Sequence, residues 1–338
     1  MSSDISRQEE LFKKISHLLT NARSSIVKNI NTTMVVTYYK IGQIIVEEEQ
    51  NGSYRAKYGK SILKNLSEKL TNEIGKGFSV DNLENMRKFY LTYSKSETQS
   101  RKSDENVFQL SWSHYLKLIR IDDPKERKFY EIESIENNWS LRELKRQFDS
   151  ALYQRLVLSR NKTEVKKLSE KGQVIETPKD TLKDPYILEF IGLPENEKYS
   201  ESELEQKLID KLENFLLELG KGFTFVARQK RITIDEKHFR IDLVFYNRIL
   251  KAFVLIDLKI GELKHQDIGQ MQMYVNYYDR FVKLKDENST IGIILCQDKS
   301  ETLVEITLPK DNKQIYASKY MTVLPSKEEL KRLIENHD

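Results

Sequence analysis

From Leu11 to Leu158 apolar residues return every three or four positions, and no strand-like apolar block longer than a few residues interrupts them. This spacing predicts an all-helical first region. Ile62, Leu63, Leu66 and Leu70 form one stripe that runs into Gly75-Lys76-Gly77-Phe78-Ser79, and Leu83, Met86 and Tyr90 resume a second. Glycine accepts the positive φ of a helix C-cap and Ser79 suits an N-cap, so the passage reads as helix, tight turn, helix, compatible with a helix-turn-helix. Residues 94–106 are polar and read as a surface loop. Ser140 and Glu143 have capping-box spacing and open a long helix to about Leu158.

After residue 160 the pattern changes. Residues 161–185 are charged and poor in large apolar groups, which suits a linker between a helical domain over 1–160 and a second domain over 186–338. The second domain opens with a helix from Ser202 to Leu219. Blocks rich in Val, Ile and Phe follow at 223–234, 239–246 and 250–259, then a helix from Gln266 to Val282 and a strand over 290–296. A further strand near Ile315 and a terminal helix from Ser326 complete it. The predicted fold class is an all-helical domain followed by an α/β domain in the order αβββαβ.

At 338 residues the chain exceeds the usual size of a single core, which agrees with two domains. Its 56 Lys and Arg against 52 Asp and Glu give a net charge of +4, so bulk charge alone marks neither a polybasic coat protein nor an acidic solvating chain. Cut at residue 160, the first part carries 27 basic and 21 acidic residues (+6) and the second 29 and 31 (−2). An excess of this size fits a solvated helical surface as well as a nucleic-acid footprint. Apolar runs are far shorter than a membrane span and the polar start has no signal-peptide core, so no membrane association is expected. The one cysteine, Cys296, forbids an intrachain disulfide and a Cys-rich zinc site, which suits the cytoplasm, and reads as inert core.

The chemistry concentrates at the end of one strand. Ala252 to Ile256 are apolar on both faces, as in a central strand, and then come Asp257-Leu258-Lys259. Residues two apart in a strand share a face, so Asp257 and Lys259 project together where burial of charge is costly unless compensated. Asp242 repeats the anomaly between Ile241 and Leu243. Two carboxylates on adjacent antiparallel strands call for a divalent cation, and all-oxygen ligation suits Mg²⁺ or Mn²⁺ better than zinc. On the preceding helix, Glu205 falls in register with Leu208, Ile209, Leu212, Phe215, Leu216 and Leu219, where an apolar residue belongs. Glu203 is spaced as a capping-box partner of Ser200 and is assigned a structural role. His238 and His265 lack the spacing of a zinc pair and read as surface residues. Arg228, Lys230, Arg231, Arg240 and Arg248 lie on or beside two neighbouring strands and suit either a phosphate-contacting surface or an ordinary solvated face.

Helix Glu, strand Asp, then D-x-K on the next strand resembles the PD-(D/E)XK nuclease superfamily, with Glu205, Asp242, Asp257 and Lys259 at its motif positions. Ile241-Asp242 stands where that family has Pro-Asp. Gln270-Met-Gln-Met-Tyr274 is similar to the Q-x-x-x-Y signature of its RecB-like branch. With YGKSILKNLSEKL, GKGFSVDNLENMRKFY and WSLRELKRQF upstream, the chain resembles the YhcG family along nearly its whole length. The resemblance implies a helical, winged-helix-like DNA-binding domain joined to a restriction-endonuclease-like domain with a mixed sheet, acting as a DNA endonuclease in repair, recombination or defence. It also implies one Mg²⁺ or Mn²⁺ held by Asp242, Asp257 and the Leu258 carbonyl, with Glu205 serving a second ion or a water and Lys259 acting on that water. Gln270 and Tyr274, one turn apart on a helix face, suit ordering the site or contacting the DNA backbone as well as ordinary helix packing, and Arg87, Lys88 and Arg240 would contact DNA. No small-molecule cofactor is expected. A homo-oligomer is one way for a single active site per chain to cut both strands. A catalytically silent DNA-binding or assembly protein on the same fold is the alternative.

Overall fold

The computed structural model describes residues 31–49, 56–94, 108–158, 162–193 and 199–324. Its contacts divide the chain into two compact units, Met1–Leu144 and Lys145–Asp338. The expected terminal helix from Ser326, and the polar stretch 94–106 apart from Ser94, lie outside the described residues.

The first unit is helical throughout its described residues. Helix α1 (residues 31–49), α2 (Ala56–Glu73) and α3 (Val80–Tyr93) share a core of Ile45, Leu63, Leu83 and Met86, with Leu66, Leu70 and Phe78 packed on it. The turn between α2 and α3 is the one expected. Gly75 and Gly77 take φ of +112° and +115°, and Ser79 Oγ accepts the N–H of Asn82 as the cap of α3. The described residues here contain a helix-turn-helix but no strand that could form a wing. Beyond it come α4 (Trp112–Leu118) and α5 (Pro124–Glu136), with Phe89, Phe108 and Tyr115 meeting ring to ring.

The long helix expected from Ser140 is instead two, α6 (Leu141–Asp149) and α7 (Leu152–Leu158). Ala151 adopts φ +51° between them, and Arg155 Nε donates to the Ser150 carbonyl that the break sets loose. The boundary between the two units falls within α6. The segment 162–181 carries helix α8 (Lys162–Lys171) and a short 3₁₀ turn at Pro178–Thr181.

The second unit is built on a mixed six-stranded sheet. Its strands are β1 (Tyr186–Ile187), β2 (Phe223–Ile234), β3 (Lys237–Asn247), β4 (Ala252–Leu258), β5 (Ile291–Cys296) and β6 (Ile315–Met321), in the spatial order β1-β6-β5-β4-β3-β2. β2, β3 and β4 are antiparallel neighbours, and β4, β5, β6 and β1 run parallel. The expected helix 202–219 is two, α9 (Glu201–Asp210) and α10 (Leu212–Leu219), broken where Lys211 leaves helical angles at φ −119°, ψ 33°. They cover one face of the sheet through Leu204, Leu208, Phe215 and Leu219. Helix α11 (His265–Phe281) covers the other through Ile268, Met271, Tyr274 and Val275. A side chain at Gly292 of β5 would meet Met271 at 2.6 Å, so glycine there lets α11 lie close on the sheet. A short helix α12 (Glu301–Thr307) precedes β6. This order contains the αβββαβ core read from the sequence.

Candidate active site

β4 is buried along its length and ends at the site. Asp257 is 1% exposed, and Lys259 Nζ sits 2.8 Å from its Oδ2, so the two charges do share a face. The β3–β4 ladder stops at the pair Leu243↔Ile256, which puts Asp242 opposite Asp257 at the point where the strands part. Asp242 replaces the missing ladder partner with its own carboxylate, whose Oδ2 accepts the N–H of Leu258 at 2.8 Å. Burial first, then the neighbouring Asp242, push the Asp257 carboxyl up to about 7 against the pull of Lys259. Burial lowers the affinity of Lys259 for its proton, but Asp257 more than restores it and the net shift is upward.

Glu205 reaches the same place from α9, where it is 4% exposed beside Leu204 and Leu208. Arg228 Nε lies 3.2 Å from its Oε1. Burial raises its carboxyl, a trend the Gln229 hydrogen bond opposes and Asp242 reinforces. Glu203, two residues earlier, closes the capping box instead. Its Oε2 accepts the N–H of Ser200 at 2.8 Å, and that bond lowers its carboxyl.

Gln229, on β2, is the residue that sequence reasoning missed. Its Nε2 donates to Glu205 Oε2 and, at 3.1 Å, to Asp242 Oδ1, so one amide ties the helix acid to the strand acid. Within the basic run Arg228-Gln229-Lys230-Arg231 it looks like part of a solvated face. The apolar pattern gives no signal of it, because Phe223 and Phe225 face the α9–α10 side and Ile232 and Ile234 the α11 side, at the odd separations that unbroken alternation would produce.

Gln270 and Tyr274 form a chain on α11. Gln270 Nε2 donates to Tyr274 Oη at 2.5 Å, and that hydroxyl donates to the Arg240 carbonyl at 2.9 Å. Tyr274 is fully buried, and burial foremost raises its hydroxyl. Arg240 itself is exposed on β3, as are Arg228, Lys230 and Arg231 on β2. Arg248 sits at the far end of β3 from Asp242. In the first unit, Arg87 Nε is ion-paired to Glu49 at 2.6 Å and Lys88 is exposed. His238 and His265 are exposed and Cys296 is buried.

The donor set fits a hard divalent cation with an open coordination sphere. Asp257 Oδ2 and Glu205 Oε1 are buried oxygens without an aligned hydrogen-bond donor, although each lies within ion-pair distance of a cationic side chain. Among the described residues no three acids or histidines converge into a closed ligand cage. Mg²⁺ commonly takes one or two carboxylates and completes its shell with water and substrate phosphate, so the absence of a cage does not disqualify the site.

Known proteins share both units. Residues 179–335 match the YhcG PDDEXK nuclease domain, and residues 14–155 match the DUF1016 N-terminal domain. The protein named "Putative nuclease YhcG" from Escherichia coli (strain K12) is 35% identical over 347 aligned positions, covering 95% of this chain and 92% of that one. Among solved structures, a repair endonuclease from Pyrococcus abyssi matches 36% of this chain and 48% of its own at 21% identity and a TM-score of 0.26. The EndoMS-dsDNA2 complex matches 40% of this chain and 51% of its own at 14% identity and a TM-score of 0.27. The chain thus spans about half the length of those two structures. On the strength of the full-length relative and the two domain matches, this chain belongs to the YhcG family, with a PDDEXK nuclease domain in its C-terminal half.

Proposed function

We propose that the chain is a metal-dependent DNA endonuclease whose active site is the cluster of Glu205, Asp242, Asp257 and Lys259. The observation that carries this reading is that Asp242 and Asp257 stand opposite each other where β3 and β4 part, with Glu205 tied to Asp242 through Gln229 and buried oxygens on Asp257 and Glu205 that lack aligned donors. Buried acids that outnumber the cations beside them are destabilising, so the arrangement makes sense as a place for a further cation.

Asp242, Asp257, the Leu258 carbonyl and Glu205 would hold Mg²⁺ or Mn²⁺, which when bound polarises a phosphate and acidifies a water. Lys259, kept protonated by Asp257, orients the attacking water and stabilises negative charge developing on the phosphate oxygens. Its raised proton affinity argues against a general-base role while Asp257 stays its partner. Gln270 acts through Tyr274, fixing the strand that carries Arg240.

DNA contact rests on two surfaces. β2 and β3 remain paired as far as Ile234↔Lys237, well past the last β3–β4 pair, so they extend as a two-stranded arm beside the acids. Lys230, Arg231, Lys237 and Arg240 are exposed on that arm and suit phosphates. The second surface is the helix-turn-helix, where exposed Lys88 on α3 is the better contact because Arg87 is committed to Glu49.

A supercoiled-plasmid nicking assay with and without Mg²⁺, beside an RNA substrate, tests the reading. Asp257→Asn and Asp242→Asn should each abolish Mg²⁺-dependent nicking while leaving the fold intact. Undiminished nicking by either variant removes the catalytic assignment, and DNA binding without nicking in the wild type favours a silent scaffold. Lys88→Glu and Arg240→Glu, compared for affinity across a salt series, should each reduce the salt slope by about one if their phosphate contacts exist.

A further inference from the structure

We propose that Gln229 is a positioning residue of the acid cluster, fixing Glu205 against Asp242 so that both carboxylates are in place for the cation. The inference rests on the reading of the cluster as a cation site.

Three observations support it. The amide nitrogen is shared between carboxylates that arrive on different elements, Glu205 from α9 and Asp242 from β3. With carboxylates on both sides, only the nitrogen end of the amide can face them. Gln229 also adopts φ +46° in the middle of a strand, a backbone conformation that L side chains rarely take. That turn changes the phase of β2. Ala227 packs on the α11 side of the sheet, and so do Ile232 and Ile234, although 227 and 232 are an odd number of residues apart. β3 shifts phase opposite it, since Ile241 and Val244 both face the α11 side while Leu243 faces the other. A register shift between Phe225 and Ala227 lies farther along the pair, and the two changes of phase fall at Gln229 and Asp242, whose side chains meet.

The chemical identity of the residue fits the role. A glutamine supplies two N–H donors and no charge, so it holds two anions together without competing for the cation. Arginine or lysine would cancel the negative charge that attracts the ion. Asparagine, one methylene shorter, would lose reach. Partners that orient metal ligands typically change affinity 10- to 100-fold when removed.

The test is calorimetric titration of the full chain with Mn²⁺, comparing wild type with Gln229→Ala and Gln229→Gly, alongside melting curves of the metal-free proteins. Both variants should bind Mn²⁺ about 10- to 100-fold more weakly than wild type. Metal-free Gln229→Gly should melt above Gln229→Ala, because glycine accepts φ +46° without strain. That order separates the backbone from the amide, since relief of strain leaves the lost hydrogen bonds unrestored. If Gln229→Ala does not fold, Gln229→Gly carries the comparison. Wild-type Mn²⁺ affinity in either variant overturns the positioning role while leaving the cation site standing. A wild type that takes up no Mn²⁺ overturns both.

Discussion

The nuclease unit contains two clusters of buried charge that solve the same physical problem in opposite ways. Around Glu218 on α10 every oxygen is engaged. Oε1 accepts Arg155 Nη1 at 2.5 Å and the Ile187 N–H at 3.0 Å, and Oε2 accepts Arg146 Nη1 at 3.2 Å. Lys183 donates to the Glu218 carbonyl. Burial alone would push this carboxyl up, but Arg155 foremost, then Lys183 and Arg146, hold it down at about 2. At the end of β4, the cations paired with Glu205, Asp242 and Asp257 among the described residues are Lys259 and a half-exposed Arg228, and Asp257 rises to about 7. Acids matched by cations anchor helices to a sheet. Acids in excess of cations leave charge for something that is not part of the chain.

Removing one partner from the matched cluster should give the largest effect. Arg155→Met leaves Glu218 fully buried beside fewer cations and should destabilise the protein by about 3–5 kcal/mol, read as a shift of the urea midpoint. A loss below about 1 kcal/mol would mean that Arg146 and Lys183 suffice and the contrast between the clusters is weaker than drawn. Arg155 lies outside the matched nuclease segment 179–335, so the same measurement asks whether α7 is an integral part of that unit.

The two clusters should also respond to pH with opposite sign. Glu218 titrates lower in the folded chain than its ordinary 4.5, so its stabilisation is complete above about pH 4.5 and fades as pH falls toward 2. Asp257 titrates higher than its ordinary 3.8, so the metal-free protein loses stability as pH rises from about 4 to about 7. Asp257→Asn should flatten that upper limb and raise metal-free stability at pH 8 by about 1–2 kcal/mol, less than the shift suggests because Lys259 loses its partner. Melts of both proteins across pH 4–8 decide the matter, and parallel curves would show that Asp257 is already compensated.

How much of this was visible in the sequence differs between the clusters. Asp257 and Lys259 stood out because β4 is otherwise apolar, and Asp242 because it interrupts Ile241 and Leu243. Charge inside an apolar block is conspicuous. Glu218 and Arg155 were not singled out although each interrupts an apolar run, Leu216-Leu217-Glu218-Leu219 and Arg155-Leu156-Val157, because a helix can turn such a charge to solvent and only tertiary packing makes it buried. The helix breaks at Ala151 and Lys211 were equally hidden, with neither Gly nor Pro to mark them. Gln229 was masked by its basic flanks. Its role depends on a backbone angle and a register, neither of which composition records.

The smallest effects test the helix phase on which Glu205 depends. Glu203 and Glu205 are two positions apart on α9 and so point about 200° from each other. The structure gives Glu203 an exposed capping role and Glu205 a buried one beside Gln229 and Arg228. Loss of the cap in Glu203→Ala should lower the melting temperature slightly and spare cleavage. Glu205→Gln removes a carboxylate whose proton affinity burial has raised, so the metal-free protein should melt higher, by on the order of 2 °C. The same variant gives up a carboxylate of the proposed cation site and should gain less from added Mg²⁺ and cleave more slowly, because stabilisation by a bound ion tracks its affinity. Paired melts with and without Mg²⁺, run beside nicking rates, separate the two glutamates. Full activity in Glu205→Gln together with loss of activity in Glu203→Ala would reverse the assignment, and would place the functional face of α9 toward solvent rather than toward Asp242.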